Sequence, residues 1–425
     1  MANKVFSRIV PLALAAIVLA SCGNGADPKS SSKVSSESSA AEKTPWELYA
    51  RAKDLTAVAD PFGFRVAGAM GSMAFETGKE EEEEWSTTTI NVDYLDMVGA
   101  FSKLGKGNSS SEGYLSITDS KLLITSDQIP EEYSRLIEKT GIHIDGSLYL
   151  DNGRLYVDAS NVYLQLIATA IGTGLSASTG DDWEFPARGY HDLTSDEFLL
   201  LSTVDSLRKK SGDSDLLVSA HDAAIVLGKE DEVFTVSVDK FENNVIKMEI
   251  EDEGLLKTVL MDEFDVIYDS LVEAQEEVES STDVEIKDRE TAKADFEDTL
   301  DDLLDAIEFD HYAKTVVFND TNGIVSEERD FKINSFDHDS MLAIEKESGD
   351  ILKDIFEEMM EESSEESSEE PVDPEEPTSY VLPTGEWSAK AKFTYQYRDD
   401  VKIEKLSDLQ KTRYEEITFP EKESE

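Results

Sequence analysis

Residues 147–157 read Ser147-Leu148-Tyr149-Leu150-Asp151-Asn152-Gly153-Arg154-Leu155-Tyr156-Val157, two short apolar runs on either side of Asp-Asn-Gly. Asn-Gly supplies the positive φ angles that a tight hairpin needs, so this stretch predicts two antiparallel strands joined by a short turn. Working back toward the N-terminus, Tyr114–Thr118 and Lys121–Thr125 read as a second hairpin across Asp119-Ser120. From Phe62 to Phe75 the apolar residues Phe64, Val66, Met70, Met73 and Phe75 are interleaved with small ones. Gly68 and Gly71 among them predict a bent strand. Lys79–Glu84 is a charged turn, and Ser86–Leu95 is rich in threonine and β-branched residues, as strands are.

Toward the C-terminus, strands are expected near Leu216–Val226, Val233–Val238 and Val245–Ile250. A further hairpin, Thr315–Phe318 with Ile324–Phe331, turns at Asn322-Gly323. Trp387–Tyr397 is a last strand, with Val401-Lys402-Ile403 as a short edge. Runs of strands without regular alternation with helices point to an antiparallel sheet and an α+β chain.

The helices carry their own signals. Thr44-Pro45-Trp46-Glu47 combines an N-cap, a proline at the first helical position and a capping box, so a helix is expected from 45 to about 59. Further helices are expected from Pro130 to about Lys139 and over Val162–Ile171. Thr194-Ser195-Asp196-Glu197 opens another, which runs to Lys210. Two acidic amphipathic helices follow, with stripes Leu256, Leu260, Phe264, Ile267, Leu271 and Phe296, Leu300, Leu303, Ile307. A last helix is expected from about Ser340 to Glu362. Strands with one apolar face need an apolar stripe against them, and these helices offer one.

One N-terminal and one internal segment lie outside any core. Residues 23–44 are rich in serine and hold no aromatic residue, a flexible linker with a reach of roughly 25 Å. Residues 357–377 are Glu-Ser repeats followed by Pro371, Pro374 and Pro377, and this composition is expected to be disordered. Across all 425 residues, 93 acidic side chains outweigh 39 basic ones, for a net charge of −54. Such a surface repels nucleic acid and anionic lipid headgroups, which excludes nucleic acid as a partner. The hydrophobic share of 39% is enough for a buried core. A single cysteine, Cys22, leaves no possibility of an internal disulfide.

Ile9 to Ala20 is apolar without a break and follows Lys4 and Arg8. As a helix it would reach about 18 Å, short of the roughly 30 Å of a bilayer core, so it has the size of a signal-peptide apolar region. Leu19-Ala20-Ser21-Cys22 resembles the lipobox of bacterial lipoproteins at every position. The resemblance implies cleavage after residue 21, a diacylglyceryl group on the Cys22 thiol and anchoring on the extracytoplasmic face of the cell membrane. Two or more acyl chains give stable anchoring. The chain thus divides into a signal peptide (1–21), a lipidated cysteine and linker (22–44) and a body (45–425). Whether that body is one unit or two modules dividing near 251 is left open.

The order of elements in the body is similar to that of the LolA-like half-barrel lipoprotein carriers and their mycobacterial relatives. The residues that carry the likeness are Trp46–Ala52, Phe62–Phe75, Thr87–Leu95, Gly146–Val157, and the closing Val401–Ile403 and Tyr414–Ile417. Members of that group are shorter and lack a long acidic insert. The likeness implies a curved antiparallel sheet with amphipathic helices on its concave side and an apolar cavity between the layers.

Chemistry-bearing motifs are sparse. His143, His191, His221, His311 and His338 stand far apart, without the i, i+4 pairing that places two imidazoles on one metal. Asp337-His338-Asp339 reads as an exposed loop. Ser206-Leu207-Arg208-Lys209 matches a serine–lysine motif but lacks its companion motifs. Asp320–Gly323 has a calcium-loop flavour, but Phe318 occupies the first ligand position. No catalytic, cofactor or metal residues are therefore expected, and Cys22 is the one assigned site. The functional expectation is a non-enzymatic, membrane-anchored lipoprotein that binds or carries a lipid or other apolar ligand. The alternative is a surface lipoprotein that binds proteins.

Overall fold

A computed structural model describes residues 44–79, 85–103, 111–127, 140–161, 186–194, 216–261, 289–319, 323–346 and 380–417, with 135, 164, 264 and 321 singly. Helix α1 (Pro45–Ala57) begins at the expected cap. The Glu47 backbone N–H donates to Thr44 Oγ1 at 3.2 Å, and the Thr44 N–H donates to Glu47 Oε2 at 2.8 Å. Six strands follow: β1 (Phe62–Gly78), β2 (Ser86–Ser102), β3 (Glu112–Ser126), β4 (Ile142–Asp151), β5 (Arg154–Asp158) and β6 (Arg188–Asp192). The turn between β4 and β5 is the expected one, with φ of 52° at Asn152 and 82° at Gly153, and Leu150 opposite Leu155.

The second half holds α2 (Leu216–Leu227), the single turn α3 (Glu230–Val233), β7 (Phe234–Val238) and β8 (Asn244–Ile250). Helical residues 253–261 come next. They are followed by α4 (Arg289–Asp305), β9 (Ile307–Asn319) and β10 (Gly323–Phe336). After the helical residues 338–346 come β11 (Tyr380–Tyr397), the short α5 (Asp408–Lys411) and β12 (Glu415–Glu416).

All twelve strands lie in one sheet, in the order β12-β6-β5-β4-β3-β2-β1-β11-β10-β9-β8-β7. Every neighbouring pair is antiparallel except β12 with β6. Two meanders, β1–β6 and β7–β11, are thus joined where β1 pairs with β11. Strands from both sides of residue 251 share this sheet. The fold is mixed α+β, dominated by a large antiparallel sheet.

The main core lies on one face of the β8–β11 half. Tyr49 and Ala52 of α1, Leu217 and Ala220 of α2, and Leu255 and Val259 pack against Ile246, Met248, Val316, Phe318, Ile324 and Trp387. Fully burying a side chain of this size stabilises by roughly 1.5–3 kcal/mol, so this cluster anchors the fold. Thr56 stitches α1 to the sheet. Its hydroxyl donates to the Ala52 carbonyl at 2.9 Å and accepts from the Ile324 N–H at 3.0 Å. Tyr397 adds a second tie, donating from its hydroxyl to the Ile324 carbonyl at 2.6 Å.

Four expectations are corrected. Leu216–Val226 is helical, not a strand: Leu217, Ala220, Ala223 and Ala224 fall on one helical face and are buried, while Val218, Ile225 and Val226 are exposed. Asp119-Ser120 is no hairpin turn. β3 runs through it as a register irregularity, where buried Ser120 accepts the Asp96 N–H on its hydroxyl at 3.1 Å. Ile307 opens β9 rather than closing α4, which ends at Asp305. Val401–Ile403 forms no strand, and the short closing strand is Glu415–Glu416. Residues 1–43 with Cys22, the insert 357–377, the helices expected at 130–139, 162–171 and 194–210, and Ser206–Lys209 lie outside the described residues, apart from single positions.

Candidate functional site

The β9–β11 end of the sheet and the acidic helices enclose a cavity of about 110 Å³. From the sheet come Ile307, Phe309 and Tyr312 of β9, Phe331, Ile333 and Phe336 of β10, and Val381, Leu382, Pro383 and Trp387 of β11. Most of these alternate along their strands, as the pleat requires for one face. From the helices come Leu256 and Leu260, then Leu300, Leu303 and Leu304 of α4, and Met341, Ile344 and Glu345. Each helical set repeats at i, i+3 or i+4, so each helix turns one stripe inward. Leu216, at the start of α2, completes the lining.

Several contacts hold these walls. Trp387 is buried between the edges of Phe75 and Phe336, with ring centroids 5.0 and 5.1 Å away, and its indole N–H donates to the Ala74 carbonyl at 2.8 Å. Lys257 bridges the two acidic helices, reaching Asp301 at 2.6 Å and Glu297 at 3.2 Å. These carboxylates hold the Lys257 ammonium above its ordinary range.

Asp337-His338-Asp339 is exposed at both aspartates, as expected, but it starts a helix rather than lying in a loop, and His338 is half-buried. The Asp337 carboxylate accepts the Ser340 N–H at 2.9 Å and caps the helical residues 338–346, and this bonding lowers its pKa. His338 lies 3.0 Å from Glu76 and edge-on to Trp85, while Thr384 donates to the same Glu76 at 3.0 Å. The group thus fixes the start of the helix that brings Glu345 to the cavity.

Glu345 is the one carboxylate among the described lining side chains. Burial raises its pKa to about 7, and no neighbouring charge contributes. At neutral pH a large share of it is therefore the uncharged acid, which can donate as well as accept a hydrogen bond.

No family model, curated protein or solved structure matches this chain. The site is read from its own chemistry.

A second polar group lies further along the same sheet face. Glu327 and Arg329 of β10 are buried, and the guanidinium Nη2 donates to Glu327 Oε2 at 2.7 Å. Arg329 also sits over the Phe393 ring at 5.4 Å, and buried Lys314 is its register partner on β9. Among the described residues no three His, Cys, Asp or Glu side chains are grouped to hold a metal ion. The five histidines are dispersed over β4, β6, α2, β9 and the 338–346 helix. No described helix is long and apolar enough to cross a membrane.

Sequence reasoning placed Leu256, Leu260, Leu300 and Leu303 on amphipathic helices and Phe331 and Trp387 on strands. It left Phe309, Tyr312, Ile333, Phe336 and residues 381–383 outside any expected strand and gave Glu345 no role. The signal was present: Met341, Ile344 and Glu345 stand at i, i+3 and i+4, so the glutamate occupies a place on an apolar stripe.

Proposed function

We propose that this chain is a lipid-anchored extracytoplasmic bacterial lipoprotein whose body binds an apolar ligand between a half-barrel-like sheet and the helices laid across it. The observation that supports this reading is the cavity, whose described lining residues are apolar except for Glu345 and the Tyr312 hydroxyl. Ligand pockets are commonly apolar with few placed polar groups. The volume limits the ligand. An engineered apolar cavity of about 150 Å³ holds benzene, so a space of about 110 Å³ takes one end of an acyl chain, not a whole diacyl lipid. A larger ligand requires α4 and residues 253–261 to move off the sheet. The lipobox resemblance supports the anchor, since Cys22 is the only thiol.

Native mass spectrometry of the full chain, extracted gently from membranes, tests the binding. An apolar adduct is expected on the wild type and is expected to be lost in Leu304→Trp, which fills the cavity from α4. A bare wild type that also fails to take up N-phenylnaphthylamine overturns the reading. Labelled palmitate should appear on the wild type and not on Cys22→Ala.

A further inference from the structure

Glu345 has no counterpart in a cavity built only to be packed. Leucine at this place on the stripe would bury apolar area without the desolvation that a carboxyl group suffers. Tyr312 is the one other titratable group among the described lining residues. Among the described residues, the charged groups of the surrounding elements are turned elsewhere. On α4, Asp301, Asp302 and Asp305 are exposed, and Lys257 is engaged by Asp301 and Glu297. On the strands, Glu308, Asp310 and Glu386 are exposed, and Lys332 alternates with the lining Phe331 and Ile333, so it faces away. Lys332 pairs there with Glu386 at 3.0 Å. On the helix itself, Asp337 and Asp339 are exposed, His338 is held by Glu76, and Lys346 is one position on, about 100° around the axis.

We infer, on the reading that the cavity binds an apolar ligand, that Glu345 is its polar anchor and that its carboxyl O–H donates to an acceptor-only oxygen of that ligand. The ligand class is then an uncharged acyl ester. A fatty-acid anion is disfavoured, because it would bring a second carboxylate to a lining that holds no cation among the described residues. Binding follows the protonated fraction of Glu345. With titration at about 7, the apparent affinity for an ester is expected to fall about 30-fold from pH 5.5 to pH 8.5.

Trp387 in the cavity wall is the reporter. The full chain is held in lipid nanodiscs, and Trp387 fluorescence is quenched with methyl 6-bromohexanoate or with 1-bromohexane, using Trp387→Phe as the blank. The ester is expected to bind more tightly than the bromoalkane at pH 5.5 and to lose that affinity by pH 8.5. Glu345→Gln keeps an N–H donor and is expected to bind the ester equally at both pH values. Glu345→Leu is expected to bind ester and bromoalkane alike. Equal ester binding by the wild type at both pH values, or a pH dependence that persists in Glu345→Gln, overturns the role of Glu345 while leaving the cavity a binding site. Failure of both compounds to quench at either pH overturns the apolar-ligand reading together with this one.

Discussion

Glu345 and Glu327 both stand where the local periodicity reserves a place for an apolar side chain, and their surroundings treat them differently. Glu327 is ion-paired with Arg329 in the interior, whereas burial alone acts on Glu345. Removing one partner of a buried ion pair strands the other charge and costs about 3–5 kcal/mol. Glu327→Ala is therefore expected to lower stability by that amount in urea unfolding, with the Arg329 guanidinium left over the Phe393 ring between Ala391 and Lys314. Glu345 should act through pH. Its pKa is about 7 in the folded chain and lies in the ordinary carboxylate range when unfolded, so the folded state holds the proton more tightly. Its stabilising contribution is complete below the unfolded value and is lost as pH rises through 7. After allowance for solvent screening, about 1–2 kcal/mol is expected to disappear between pH 5 and 8 in the wild type relative to Glu345→Gln. Thermal unfolding of both proteins across that range measures it. Neither carboxylate announces its state in the sequence. Glu327 and Arg329 fall within the expected strand Ile324–Phe331, and nothing in that stretch marks them as an ion pair.

At the scale of elements, the start of α1 was the most legible part. The α1 cap formed as Thr44 and Glu47 indicated, and Thr44→Ala is expected to lower stability by about 1 kcal/mol. The β9–β10 turn should be more sensitive. Gly323 has φ of +92°, and a Cβ there would lie 2.6 Å from Thr56 Oγ1, the hydroxyl that ties α1 to β10. Gly323→Ala is expected to lose about 1–3 kcal/mol from backbone strain, plus the Thr56 bonds, and so to exceed Thr44→Ala in the same denaturation series. Reading failed where tertiary packing outweighed local preference. Leu216–Leu227 contains β-branched residues that suit a strand, yet its three alanines allow close approach to the core, with the His221 ring 3.8 Å from that of Trp46. Asp119-Ser120 has turn residues but serves as an irregularity within β3, because the Ser120 hydroxyl finds a backbone partner on β2.

At the scale of the molecule, charge and topology dominate. A net charge of −54 makes the folded chain repel itself, and shortening the Debye length from about 30 Å at 0.01 M salt to about 8 Å at 0.15 M weakens that repulsion. The melting temperature is therefore expected to rise with sodium chloride over this range, and calorimetry at fixed pH checks it. The sequence made the antiparallel class readable, but not the order of strands, because nothing local tells β1 that its second neighbour is β11. That pairing has a temporal consequence. Thr394, which donates to the Arg65 carbonyl, stands 329 positions downstream of it. A ribosome adding about 5–20 residues per second delivers the matching strand roughly 15–65 s after the first has emerged. For that interval β1 presents a bare row of amide groups, so the nascent chain depends on a holding factor, or on its own acidic self-repulsion, to keep neighbouring copies from filling the gap.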